Sequence, residues 1–75
     1  MRTPTPQLVM LGLAVRRCRR ERDLSQEALA ARAGVGAKHL GEIERGNSDP
    51  RVTTVIRIAT ALDLRVADLF DRIEE

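Results

Sequence analysis

Between Ser25 and Gly46 the chain has room for two short helices and one tight turn, and this stretch constrains the rest. Ser25 precedes Gln26-Glu27-Ala28-Leu29-Ala30-Ala31-Arg32-Ala33, where its hydroxyl can cap the amide of Ala28, and Gly34 supplies a left-handed stop. A second helical pattern starts at about Gly36 or Ala37, runs to Arg45 and meets a second stop at Gly46. Helical spacing turns Ala28, Leu29 and Ala33 of the first segment inward, and Leu40 and Ile43 of the second. Lys38, His39 and Glu42 then face away from the core. The small alanines permit close helix approach.

The flanking segments are helical as well. Met1 to Pro6 reads as a short extended arm, with Thr5 as N-cap and Pro6 at the first helical position, so the domain proper is expected over residues 7–75. Leu8, Leu11, Val15 and Cys18 mark the inner stripe of a helix ending near Arg22. Arg16, Arg17, Arg20 and Arg22 gather toward its C-terminal end, either to complement the helix dipole or to meet phosphate. Asn47-Ser48-Asp49-Pro50 is a loop. A fourth helix to about Leu62 places Val52, Val55, Ile58, Ala59 and Leu62 on one face, and its Thr53-Thr54-Val55-Ile56 run needs packing to hold it helical. A fifth, about Val66 to Ile73, offers Val66, Leu69, Phe70 and Ile73. No segment alternates as a strand does, so the expectation is an all-α bundle of five short helices.

Composition excludes several functions. A single Phe with no Trp or Tyr leaves an aliphatic core and no aromatic platform for stacking single-stranded bases. One cysteine, Cys18, on the core stripe of helix 1, forms neither an internal disulfide nor a cysteine-based zinc site. His39 is the only histidine, so a phosphate or solvent contact suits it better than a metal ligand. These features offer no triad and no metal centre, and neither an enzyme nor a cofactor is expected. Leu8 to Val15 is far too short for a membrane span, and a cytoplasmic location fits a lone thiol. At 75 residues the chain makes one domain, with no room for a separate catalytic or effector-sensing unit. The net charge of +2 hides an asymmetry: residues 1–62 hold eleven of the thirteen bases and six of the eleven acids, and residues 63–75 the other two and five. Either one side faces a polyanion with the tail turned away, or the charges scatter over a solvated surface.

A capped helix, a glycine turn and a second short helix are the ingredients of the helix-turn-helix, whose second helix enters the DNA major groove. From about Leu8 to Phe70 the chain resembles the lambda-repressor-like, or Cro/repressor-type, helix-turn-helix family. The resemblance rests on Arg19 ahead of Leu24-Ser25-Gln26-Glu27-Ala28-Leu29-Ala30, then Gly34-Val35 and Leu40-Gly41-Glu42-Ile43-Glu44-Arg45-Gly46. Ile58-Ala59-Thr60-Ala61-Leu62 and Val66-Ala67-Asp68-Leu69-Phe70 complete it. Within the family, Ile43-Glu44-Arg45-Gly46 and Asp68-Leu69-Phe70 are similar to small restriction-modification controllers and compact phage repressors.

The resemblance implies double-stranded DNA as partner. Gln26 would meet a phosphate at the N-terminus of helix 2. Ala37, Lys38 and Glu42 fall at base-reading positions, with Lys38, the only lysine, able to donate to guanine O6 and N7. Glu42 would either accept from cytosine N4 or hold Lys38 one turn away. His39, Arg45, Asn47 and Arg51 are phosphate candidates. Arg19 and Glu44 take the places of a family ion pair tying helix 1 to the end of helix 3. The chain departs from the commoner pattern at Gly36, where Ser or Thr often caps helix 3, and at Ala37, which offers only a methyl group. Direct readout is therefore thin, and DNA shape would share the specificity.

A module this small ordinarily reads DNA as a two-fold dimer. The apolar excess of the tail, Val66 and Ile73 with Ile56, is the candidate interface, whereas Leu69 and Phe70 are expected to close the core. The leading function is a transcriptional regulator, a dimeric repressor or switch at a palindromic operator. The alternative is an antitoxin-like or adaptor module that binds a protein partner and touches DNA weakly. A regulator of this kind would be encoded by a bacterium or a phage.

Overall fold

The computed structural model describes residues 5–73, which form five helices and no strand: α1 (Pro6–Glu21), α2 (Gln26–Ala33), α3 (Ala37–Glu44), α4 (Val52–Ala61) and α5 (Val66–Asp71). Residues 1–4 of the expected arm and residues 74–75 of the expected domain lie outside the described residues. Thr5 and Pro6 already start α1, where Thr5 Oγ1 accepts from the Leu8 amide at 3.2 Å. Ser25 caps α2 in the same way, its Oγ accepting from the Ala28 amide at 3.0 Å. Each bond satisfies one of the amides that a helix start leaves without an internal partner.

Four helices end with one device. Beyond α1, α2, α3 and α4, the residue in the left-handed region is Asp23, Gly34, Gly46 and Asp63, with φ of 54°, 69°, 79° and 59°. In each case the following amide returns to a carbonyl five residues back: Leu24 to Arg19, Val35 to Ala30, Asn47 to Glu42 and Leu64 to Ala59. These are Schellman closures, two on glycine and two on aspartate. The connections are therefore short, and each chain reversal is bonded through the backbone.

Leu29, Leu40, Ile43, Ile58, Leu62, Leu69, Val15 and Cys18 are fully buried. α3 packs against α1 and α2, α2 also against α4, and α5 against α4 and α1. α1 and α3 come close enough at Gly12 that a Cβ there would lie against the Ile43 carbonyl oxygen and 2.5 Å from that of Glu44. Glycine is required at this crossing because the obstacle is backbone.

The inner faces differ from expectation at four places. Leu8, expected on the inner stripe of α1, is only half-buried and lies outside the core cluster. Ala30 is buried and Ala28 only half-buried, so α2 faces the core through Leu29, Ala30 and Ala33. Val52, expected on the core face of α4, is 74% exposed: it occupies the first position of α4, at the margin of the Val55-Ile58-Ala59-Leu62 stripe. Phe70, expected to close the core, is 47% exposed, because it lies about 100° around α5 from Leu69, the residue of that helix that is fully buried. Phe70 instead rims an apolar groove of about 200 Å³ with Leu11, Pro50, Val52, Val55 and Val66.

Candidate nucleic-acid interface

α3 is anchored by one face and open on the other. Leu40 and Ile43 are buried in the core, while Lys38 and His39 stand exposed near its N-terminus. Gly36 contributes no side-chain cap, which leaves the first amides of α3 directed outward without a side-chain acceptor. Ala37 is half-buried and packs against the core. Glu42 is half-buried, and its carboxylate bridges Arg45 Nη2 at 3.1 Å. The salt bridge thus falls one turn onward to Arg45 instead of back to Lys38. Lys38 is left with its ammonium in solvent.

The end of α3 is fixed by a buried charge cluster. Glu44, 2% exposed, accepts from Arg19 Nε at 2.7 Å on Oε2 and from Arg19 Nη2 at 3.1 Å on Oε1. Arg19 also donates from Nη1 to the Leu24 carbonyl at 2.8 Å, so one guanidinium joins α1, the turn before α2 and the end of α3. Gln26 donates its Nε2 to the same Glu44 Oε1 at 2.9 Å. Arg16 approaches that oxygen as well, with Nε at 3.6 Å. Burial pushes the Glu44 carboxyl up, but the hydrogen bonds from Arg19 and Gln26 and the charges of Arg19 and Arg16 prevail and hold it below its ordinary value. Its hydrogen bond to Glu44 raises Arg19.

Around α3 the remaining candidates gather at the ends of elements. Gln26 opens α2, Arg45 caps the C-terminus of α3, Asn47 follows Gly46, and Arg51 precedes α4 with no side-chain cap bond. Arg45, Asn47 and Arg51 are all exposed. Of the basic run on α1, Arg22 donates from Nη1 to the Cys18 carbonyl at 3.1 Å, the role of a cation at a helix C-terminus. Ile56 is 44% exposed, whereas Val66 and Ile73 are half-buried against the core. Among the described residues no group of three or more His, Cys, Asp and Glu could hold a metal ion, and no helix is long and apolar enough to cross a membrane.

Two features escaped the sequence reading: the bond from Gln26 to Glu44, and the approach of Arg16 to the same carboxylate. Both join groups distant along the chain. A glycine inside the apolar pattern of α1 was the one available hint that something packs closely there.

A capped helix, a Schellman turn on glycine and a second helix pinned by buried charge, set in five helices, define a helix-turn-helix protein. The chain belongs to the helix-turn-helix family, matching it over residues 15–69. It is 35% identical over 66 residues to the uncharacterized HTH-type transcriptional regulator y4dJ of Sinorhizobium fredii, covering 88% of this chain and 86% of that one. Among solved structures it is similar to the restriction-modification controller protein C.AhdI from Aeromonas hydrophila, with a TM-score of 0.86 and 35% identity over 88% of this chain and 100% of the other. It is also similar to SinR, the master regulator for biofilm formation, in complex with DNA, with a TM-score of 0.76, 31% identity, and coverage of 81% and 98%. The chain spans 26% to 41% of the length of longer HTH-type regulators. The fold is that of a transcriptional regulator.

Proposed function

We propose that the chain binds double-stranded DNA as a two-fold dimer and represses or switches transcription at a palindromic operator. The observation that carries this reading is α3: buried on one side, open at its N-terminus, and presenting Lys38 and His39 to solvent. An α-helix with its side chains is about 10–12 Å across, which fits the roughly 12 Å width of the major groove. Lys38 donates to guanine O6 and N7. Glu42, steadied by Arg45, accepts from cytosine N4, and Ala37 offers its methyl group to thymine. Gln26, His39, Arg45, Asn47 and Arg51 take the phosphates on either side and set the register.

The dimer contact belongs on the α4–α5 side. The molecule measures 28 × 25 × 21 Å, so two copies side by side have centres closer than the 34–36 Å between half-sites. Each α3 must therefore lie outward of its own centre, away from the two-fold axis. α3 packs on α1 and α2, whereas α5 packs on α4 and α1, which leaves the exposed apolar face of α4 and α5 available for the axis. Exposed Ile56, Val52 and Phe70 and the outer edges of the half-buried Val66 and Ile73 supply that contact.

The same apolar face would serve an adaptor with a protein partner, and sequence selectivity separates the two readings. Bound duplexes are selected from a random pool at near-physiological salt and sequenced. An enriched inverted repeat with half-sites one helical turn apart is the expected result. Failure to enrich any sequence overturns the regulator reading.

A further inference from the structure

Of the two arginines at the Glu44 carboxylate, Arg16 is the poorly satisfied one. Oε1 already accepts from Gln26 Nε2 at 2.9 Å and from Arg19 Nη2 at 3.1 Å, and Oε2 accepts from Arg19 Nε at 2.7 Å. Arg16 comes third to Oε1, and its Nε stops at 3.6 Å, buried and without a hydrogen-bond partner. A buried donor left unsatisfied is uncommon in native proteins and calls for a cause. Arg16 and Arg19 share the Glu44 carboxylate, and the further carboxylate of Glu27 acts on Arg19, so Arg16 has only a shared counter-ion. The Arg16 side chain is 33% exposed, so its charge reaches the surface.

We infer that Arg16 is a DNA phosphate-binding residue, forming one cradle with Gln26 under the organisation of Glu44. This deepens the DNA-binding reading and rests on it. Because Gln26 and Arg16 converge on one carboxylate oxygen, their side chains lie side by side at the start of α2. Gln26 spends one amide hydrogen on Glu44 and keeps the second for an anion; Arg16 supplies the charge and the fork. Arg19 holds the carboxylate through two bonds and is fixed in place. In swinging to a phosphate Arg16 gives up its ion-pair attraction to Glu44 but no hydrogen bond from Nε, and it gains a phosphate partner in exchange. Glu44 is a positioning residue here: it aims Gln26 and holds Arg16 close while keeping both from collapsing against each other.

The test is the salt dependence of binding to a duplex two helical turns long, for the wild-type chain, Arg16→Met and Arg16→Gln, with melting curves recorded on each. Counterion release makes the slope of log K against log salt a measure of phosphates neutralised by cations. Each protomer that loses Arg16 should lower the magnitude of that slope by about 1, weakening all sequences by a similar factor. Arg16→Lys, which keeps the charge, should restore the slope. A wild-type slope in a folded Met or Gln variant overturns the role of Arg16 and leaves the DNA-binding reading standing. A variant that melts earlier with its slope intact has lost only a structural contact, and it too overturns the inference. A wild-type chain that binds no duplex at any salt overturns the reading and this inference together.

Discussion

Gly12→Ala and Gly41→Ala are the same substitution in the same secondary structure, and the packing predicts opposite signs for them. In a helix interior, alanine is favoured over glycine by about 1 kcal/mol, so propensity alone makes both stabilising. At Gly41 the new methyl meets Arg45 Nη1 at 3.3 Å, the far end of a flexible side chain that can move aside. The full gain of about 0.5–1 kcal/mol should appear. At Gly12 the methyl would lie 2.5 Å from the Glu44 carbonyl oxygen, about 0.9 Å short of ordinary contact, and as close to that of Ile43. Backbone cannot rotate out of the way, so α1 must draw back from α3, placing the cost near the top of the 1–3 kcal/mol range for overpacking. Subtracting the propensity gain leaves a net loss of about 2 kcal/mol. In a domain of this size that lowers Tm by about 8–16 °C, while Gly41→Ala should raise it by a few degrees. Thermal unfolding followed by circular dichroism reads both. A Gly12→Ala protein that melts at or above the wild-type temperature would falsify the claim that α1 and α3 touch through backbone.

Further outcomes follow from the described contacts and from the proposed DNA interface. Glu44→Gln leaves Arg19 a buried cation without its carboxylate and should cost about 3 kcal/mol or more in urea unfolding at neutral pH; a loss under about 1 kcal/mol would contradict the burial of the pair. Because the Glu44 pKa is depressed in the folded state, the wild-type advantage is full above the ordinary carboxylate value and fades as pH falls through the depressed one, so the two proteins should converge in acid. Asp63→Gly relieves a left-handed residue with φ of 59° and should stabilise by up to about 1 kcal/mol, seen as a higher urea midpoint; an unchanged or lower midpoint would show that aspartate sits there without strain. Lys38→Ala should reorder the preferred sites by about 1–3 kcal/mol of discrimination, whereas Arg51→Ala should weaken every duplex alike; binding to a panel of selected sequences distinguishes the two, and an unchanged ranking for Lys38→Ala removes it from the base-reading set.

What the sequence made legible was local. Thr5 and Ser25 declare helix starts because a cap acts over three residues, and Gly34 and Gly46 declare stops because only the residue itself must enter the left-handed region. Asp23 and Asp63 do the same work less visibly, since aspartate occurs in many other settings. Exposure was harder to read. Val52 fits the helical stripe of α4, but periodicity says which side a residue faces and nothing about how fully neighbouring helices cover it. Phe70 shows the same limit at the other end: its place on α5 was legible, which residue of that helix the core takes in was not. The site divides along the same line. Arg19 and Glu44 were singled out through a family resemblance, but Gln26 joins them through the packing of α2 on α3, and Arg16 through the close approach of α1 that Gly12 permits. A missing side chain on α1 therefore sets how closely a carboxylate on α3 can gather cations from α1. The geometry of the proposed phosphate cradle depends on a residue that never touches it.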